Sequence, residues 1–266
     1  MKEEAPSGAK SAIENQAGRP SSTKSSGSGG SALIVVLIFT TLLGTVNMQV
    51  ANSNVPKITF ASINCNSLNM SSIGNMNHLL KVYGVTSLKS DIIFLSDIRL
   101  CNQAGASNIS ELNNSFRTNP HCSYKFFHNS HSNKRGVGIL IKHTINFSVL
   151  AEERDEEDNI LCLKIDIEGK EFVICSIYGP NHHNPAFFTT LRACLTRLGS
   201  SNTIIGGDWN CTGSMSPPDS NIDILNMQNL PNARHSTLLK KLCDDFEMSD
   251  PFRVKFPNRK DYSFFF

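Results

Sequence analysis

From Lys57 onward, short apolar runs alternate with polar turns, and the period of that alternation changes along the chain. The run K-I-T-F-A-S-I-N predicts a first strand ending at Asn64. Ser72 to Lys89 carries Met76, Leu79, Leu80, Val82 and Leu88 with few breakers, which predicts a helix. Asp91 to Ser96 returns to strand. Strand, helix and strand in succession predict an α/β domain in which loop ends at one edge of a sheet form the site. In the middle third, Tyr124–His128, Gly136–Ile141, Phe147–Leu150, Asn159–Ile167 and Glu171–Tyr178 are strand-like. Short turn signals such as Glu168-Gly169 make them hairpins. Pro185 to Leu198 is a helix with Phe188, Leu191, Leu195 and Leu198 on one face, and a last helix is expected from about Ser236 to Phe246.

Between those helices lies T-I-I-G-G-D-W-N, Thr203 to Asn210. A buried strand rich in β-branched residues ends here in two glycines and delivers polar groups to a rim. On an extended backbone Asp208 and Asn210 project to one side and Trp209 to the other. Such a rim suits phosphate or metal chemistry, and the same residues are also common in turns.

The first 56 residues follow a different pattern. Residues 1–31 hold eight serines, five glycines and no aromatic, a composition expected to be disordered. Residues 32–51 are apolar, beginning A-L-I-V-V-L-I-F, and no charge falls between Lys24 and Lys57. As a helix, Ala32 to Val46 would rise about 22 Å against a bilayer core of about 30 Å, so a membrane span must run on through Met48, Val50 and Ala51. A cleaved signal peptide fits poorly, because the long polar segment stands where a short basic region is expected. An internal signal-anchor and a fused leader without bearing on the chemistry are the two readings. Residues 52–56 are a linker, and 57–266 the folded domain.

Composition narrows the partners. At 39% hydrophobic residues the chain can build an ordinary core, and a net charge of +2 excludes a global basic footprint for nucleic acid. None of the eight cysteines forms a C-x-x-C pair, which predicts buried thiols, a reducing compartment and no disulfide framework. The acidic run Glu152 to Asp158 reads as a solvated hairpin tip. His182 and His183 read as loop residues.

Four polar positions fall at the ends of apolar strands: Asn64 with Asn66, Asp97 in F-L-S-D-I-R-L, Tyr178 with Asn181 in I-Y-G-P-N, and Asp208 with Asn210. Together with R-G-V-G-I-L-I from Arg135 and the closing D-Y-S-F-F-F, these blocks resemble the endonuclease, exonuclease and phosphatase superfamily. Closer still is the apurinic-type endonuclease domain of LINE-type retrotransposons. The blocks occur in the family's order over Lys57 to Phe266, about four fifths of the chain.

The resemblance implies a four-layer α/β/β/α sandwich of two mixed sheets, DNase I-like and incomplete at its C-terminal end. It also implies a Mg²⁺ site, with Mn²⁺ as a substitute, and hydrolysis of a DNA phosphodiester. In such elements the nick primes reverse transcription in the nucleus. By resemblance Asn64, Tyr178, Asp208 and Asn210 are catalytic. Asp97 and Asn66 hold the metal, a hard cation suited to carboxylate and amide oxygens. Tyr178 contacts the scissile phosphate, Asp208 orients or deprotonates the attacking water, and Asn210 helps hold the phosphate. Ser263 lies near DNA. Arg253 and Lys255, with Arg259 and Lys260, are candidate phosphate contacts or an exposed basic loop.

Two departures stand out. Asp97 replaces the family's usual glutamate, withdrawing the carboxylate by about one C–C bond. The sequence stops before the S-R-I-D and Ser-Asp-His motifs of complete relatives, so weak or absent catalysis is expected. The alternatives are a membrane-associated phosphatase or phosphodiesterase of the same superfamily, and a non-catalytic fragment.

Overall fold

The computed structural model describes residues 58–68, 80–100, 105–119, 122–199, 202–211 and 233–256, with backbone alone at 35–36, 44–47, 105–108, 233–235 and 252–253. The expected disordered leader 1–31, the linker 52–56, Ser263, Arg259 and Lys260 lie outside the described residues.

Ten strands form two mixed five-stranded sheets. The first has the order β1-β10-β9-β8-β7, from β1 (Val35–Val36), β7 (Phe147–Arg154), β8 (Ile160–Ile167), β9 (Lys170–Tyr178) and β10 (Thr203–Asp208). Its β7, β8 and β9 form an antiparallel meander, and β10 runs parallel to both β9 and β1. The second has the order β2-β3-β4-β6-β5, from β2 (Gly44–Asn47), β3 (Thr59–Asn64), β4 (Ile92–Ser96), β5 (Tyr124–Asn129) and β6 (Val137–Lys142). Here β3 and β4 are parallel and the remaining pairs antiparallel.

Helices cover the outer faces. α1 (residues 80–87) and α2 (Gly105–Arg117) cover the second sheet, where Val82, Val85, Leu112 and Phe116 pack on Ile93, Leu95 and Leu140. α3 (Pro185–Leu198) and α4 (Ala233–Asp245) cover the first, where Phe188, Leu191 and Leu239 pack on Cys175, Ile177 and Ile205. A short α5 (Pro251–Lys255) follows. α3 begins as its sequence requires: Pro185 opens the helix, and the Asn184 side chain accepts from the Ala186 and Phe187 backbone N–H groups. Between the sheets, Phe60, Ile92, Phe94 and Ile139 meet Leu161, Leu163, Ile174 and Ile204. These layers are the expected α/β/β/α sandwich.

Three expectations are corrected. Within the apolar segment 32–51, Val35–Val36 and Gly44–Asn47 are extended and pair with β10 and β3. Among the described residues no helix is long and apolar enough to cross a membrane. Valine-rich runs suit a pleated, half-buried strand as readily as a helix, and here they cover sheet edges that would otherwise lie open.

Cys162 and Cys175 face each other in the β8/β9 register and are joined as a disulfide, against the expectation of none. Directly opposed cross-strand residues bring their Cβ atoms together, and sequence spacing does not reveal that register. Cys65, Cys122, Cys194, Cys211 and Cys243 are buried thiols as expected.

The acidic run is a solvated tip only in part: Glu152, Glu156 and Glu157 are exposed, but both of its aspartates are held. Asp158 is 4% exposed and accepts from the backbone N–H groups of His131 and Ser132 and pairs with the His131 ring, while Asp155 accepts from Asn159, Ile160 and Asn129. Both carboxylates are structural, tying β7 and β8 to the loop after β5.

Gly206 marks how closely the sheets approach. A Cβ there would land on the Phe94 ring, which stacks parallel to Phe60. Gly206→Ala is therefore expected to destabilise the protein by about 1–3 kcal/mol through overpacking. The denaturation midpoint in urea measures this, and an unchanged midpoint would contradict the close approach.

Candidate active site

Alternation along three neighbouring strands grades the inner faces from apolar to polar towards one edge. β3 presents Phe60, Ser62 and Asn64; β9 presents Ile174, Ser176 and Tyr178; β10 presents Ile204, Gly206 and Asp208. Packing holds the deep members of each triplet. At the rim hydrogen bonding takes over.

Asn64 Nδ2 donates to Asp208 Oδ2 at 2.8 Å, joining the second sheet to the first. One layer deeper, Ser176 Oγ donates across the same gap to the Leu95 carbonyl at 2.9 Å. The other Asp208 oxygen accepts from the Asn210 backbone N–H at 2.9 Å. Asn210 has φ 48°, so the chain turns after β10, and the expected extended Asp-Trp-Asn arrangement is corrected. The turn sends Trp209 into the core beneath α3 and α4. It also lets Asn210 Nδ2 donate to the Gly179 carbonyl at 2.7 Å, while Gly179 N–H donates to the Asp208 carbonyl. Gly207, at φ 139°, admits no larger residue, since a Cβ there would strike the Ile177 carbonyl.

Asp208 is 4% exposed, and its pKa is raised. Burial is the main cause and the nearby Asp97 charge adds to it, while the hydrogen bonds from Asn210 and Asn64 pull the other way. Tyr178 closes the same rim, half-buried and bonded to the Asn210 side chain. Burial and the charges of Asp97 and Asp208 raise its pKa, so it stays a donor at neutral pH.

Asp97 follows β4 in a turn with φ 56°. Its carboxylate is gripped by Arg99, with Nε on Oδ1 and Nη2 on Oδ2, both at 2.7 Å. Asn66 enters through its backbone, its N–H donating to Asn64 Oδ1 at 3.0 Å. Lys81 on α1 closes this corner, its ammonium donating to the carbonyls of Cys65, Asn66 and Ser67.

The structure thus gathers Asn64, Asn66, Asp97, Tyr178, Asp208 and Asn210. Lys255 is exposed at the end of α5, its ammonium 5.4 Å from the Phe256 ring centroid, and the side chain of Arg253 lies outside the described residues. Asn181, His182 and His183 are exposed in the loop after β9. Two participants were missed by sequence reasoning. Arg99 stood in the quoted block F-L-S-D-I-R-L, where the Asp-x-Arg spacing was its signal. Lys81 looked like any polar residue on a helix.

The donor set fits a hard divalent cation. Mg²⁺ takes oxygen ligands, keeps several waters and needs only one or two carboxylates. Asp97 is near enough to Asp208 for its charge to raise the Asp208 pKa. The amide oxygen of Asn64 is a further hard donor at this rim, whereas Asn66 is exposed and joined to it by its backbone N–H; among the described residues no group of three or more His, Cys, Asp or Glu is gathered for a metal.

No family model matches the chain. The crystal structure of the AP endonuclease LMAP from Leishmania major superposes at a TM-score of 0.56 over 76% of this chain and 70% of that one, with 16% sequence identity. An AP endonuclease from Archaeoglobus fulgidus gives a TM-score of 0.53 over 79% and 78%, with 17% identity. The chain shares the fold of these enzymes.

Lys81→Met keeps the aliphatic stem but releases three carbonyls. A loss of about 1–3 kcal/mol is expected, with hydrogen-exchange protection falling first at Cys65 to Leu68. Protection unchanged in that loop would show that Lys81 does not hold it.

Asp208 gives a pH test without added metal. Its folded pKa is raised, so the native state binds a proton more readily than the unfolded chain, and stability falls as pH rises through that interval. Asp208→Asn removes this slope. As pH rises above the ordinary aspartate value of about 4, the variant is expected to gain stability relative to wild type. Parallel urea midpoints across the range would contradict the assignment.

Proposed function

We propose that this chain is a divalent-metal-dependent phosphodiester hydrolase of endonuclease type that cuts DNA. The observation that carries the reading is the Asn64–Asp208–Asn210 network at the junction of two sheets, with Tyr178 and Asp97 beside it. It lies on a fold shared with two AP endonucleases.

Asp208 is the general base. Two of its acceptor positions are filled by Asn64 and Asn210, which fix the carboxylate and leave lone pairs for the proton of an attacking water. Its raised pKa, the result chiefly of burial, makes it a better proton acceptor than an exposed aspartate. Tyr178 donates to a phosphate oxygen. Asn210 and Asn64 hold the base and the rim in register, so that the reacting groups meet without rearrangement. Asp97, with Asn64 and Asn66, would hold the metal, which supplies charge to the phosphate and its leaving oxygen. The finer reading, a nick that primes reverse transcription in a LINE-type element, rests on the order of the six sequence blocks.

Conversion of supercoiled plasmid to the nicked circle in Mg²⁺, or in Mn²⁺, tests this. Metal-dependent nicking, even if slow, would support the reading, and Asp208→Asn should then lower the rate by about 10²–10⁴-fold as for loss of a general base. Nicking indifferent to Asp208→Asn would reject the proposed base. Cleavage of soluble phosphomonoesters or inositol phosphates, with plasmid left intact, would favour the phosphatase reading.

A further inference from the structure

The Asp97–Arg99 pair has an unusual position. Its carboxylate belongs to the donor set for a cation, yet both oxygens already hold one. The two partners also differ in freedom: the Asp97 side chain is 5% exposed, whereas that of Arg99 is 36% exposed. The backbone that carries the buried carboxylate is held in place, because the Asp97 carbonyl accepts from Ser67 N–H and the neighbouring Ile98 N–H donates to the Gly136 carbonyl. The guanidinium can leave towards solvent by rotating its own side chain. Arg99 also lies close enough to Tyr178 to draw the phenol pKa down, against the burial that raises it. It therefore borders the place where Tyr178 would meet a phosphate.

We propose that Arg99 competes with the divalent ion for Asp97 and, once displaced, binds the tetrahedral anion presented beside Tyr178. The inference rests on the hydrolase reading above. A bidentate guanidinium occupies both carboxylate oxygens, so an inner-sphere metal must displace at least one of its two bonds. The released fork matches phosphate oxygens as well as it matches a carboxylate. Metal and anion then bind with positive coupling. The metal frees Arg99 for the anion, and an anion that holds Arg99 leaves Asp97 to the metal; the coupling is reciprocal. In the absence of both, the ion pair keeps a buried carboxylate neutralised.

The test is calorimetric titration of the full chain with Mn²⁺, with and without sulfate, a tetrahedral dianion that leaves Mn²⁺ in solution. Without sulfate, Arg99→Gln is expected to bind Mn²⁺ about tenfold more tightly than wild type, within the 5–150-fold span usual for coupled sites. Arg99→Lys keeps the charge but loses the fork, and it should fall between them. Sulfate should tighten Mn²⁺ binding to wild type and leave Arg99→Gln unaffected. The wild-type arm needs no variant to fold, and circular dichroism checks the others. Equal or weaker Mn²⁺ binding by both Arg99 variants overturns the competition, as does an absence of any sulfate effect on wild type. Asp97→Asn separates the two levels of inference. Mn²⁺ binding lost in Asp97→Asn but indifferent to Arg99 sinks the competition alone. Mn²⁺ binding absent from every chain, or untouched by Asp97→Asn, sinks the metal-dependent reading with it.

Discussion

The hydrogen bond from Asn64 to Asp208 is the constraint on which the candidate site depends, because it links residues 144 apart in sequence and carried by different sheets. Behind it, Phe60, Phe94, Ile174 and Ile204 fill the space between the sheets. Gly206 lets the two layers approach closely. Were the sheets to slide or splay, Asp208 would lose a donor while remaining buried, and a buried carboxylate that loses a partner is costly. The rim is thus coupled to the core: the same approach of the sheets that packs their inner faces also positions Asp208.

Much of this was legible in sequence, for a physical reason. Strands buried on both faces leave continuous apolar runs, so Ile92 to Ser96, Lys170 to Tyr178 and Thr203 to Asp208 announced themselves, and the polar residue ending each run marked the rim. The helix Gly105–Arg117 went unrecognised, since Ile109, Leu112 and Phe116 are spaced along one face among serines and asparagines that favour helices weakly. The apolar segment 32–51 was ambiguous in principle, because hydropathy reports burial and not the shape of what is buried. Site details failed where backbone conformation decides. Asp97, Arg99 and Asn210 all adopt positive φ, and no periodic pattern forecasts where such a residue sends its side chain. Lys81 was invisible because its partners are carbonyls, which every residue has.

The four buried or nearly buried acidic residues described above divide by the nature of their partners. Asp155 and Asp158 are bound largely by backbone N–H groups of Asn159, Ile160, His131 and Ser132. Those donors are part of the chain path and cannot depart without unfolding a turn. Such carboxylates fasten loops, and the high charge density of residues 152–158 carries no implication of metal binding. Asp208 is intermediate, with one backbone donor and one side-chain donor. Asp97 stands at the other extreme, its two carboxylate oxygens both bonded to one long, partly exposed side chain. A carboxylate can take a new ligand only to the extent that its present one can be exchanged, and exchange is least costly where the donor moves by rotating side-chain bonds. By that criterion the ligand of Asp97 is the more readily exchanged at this rim, and the carboxylate of Asp208 the more firmly held.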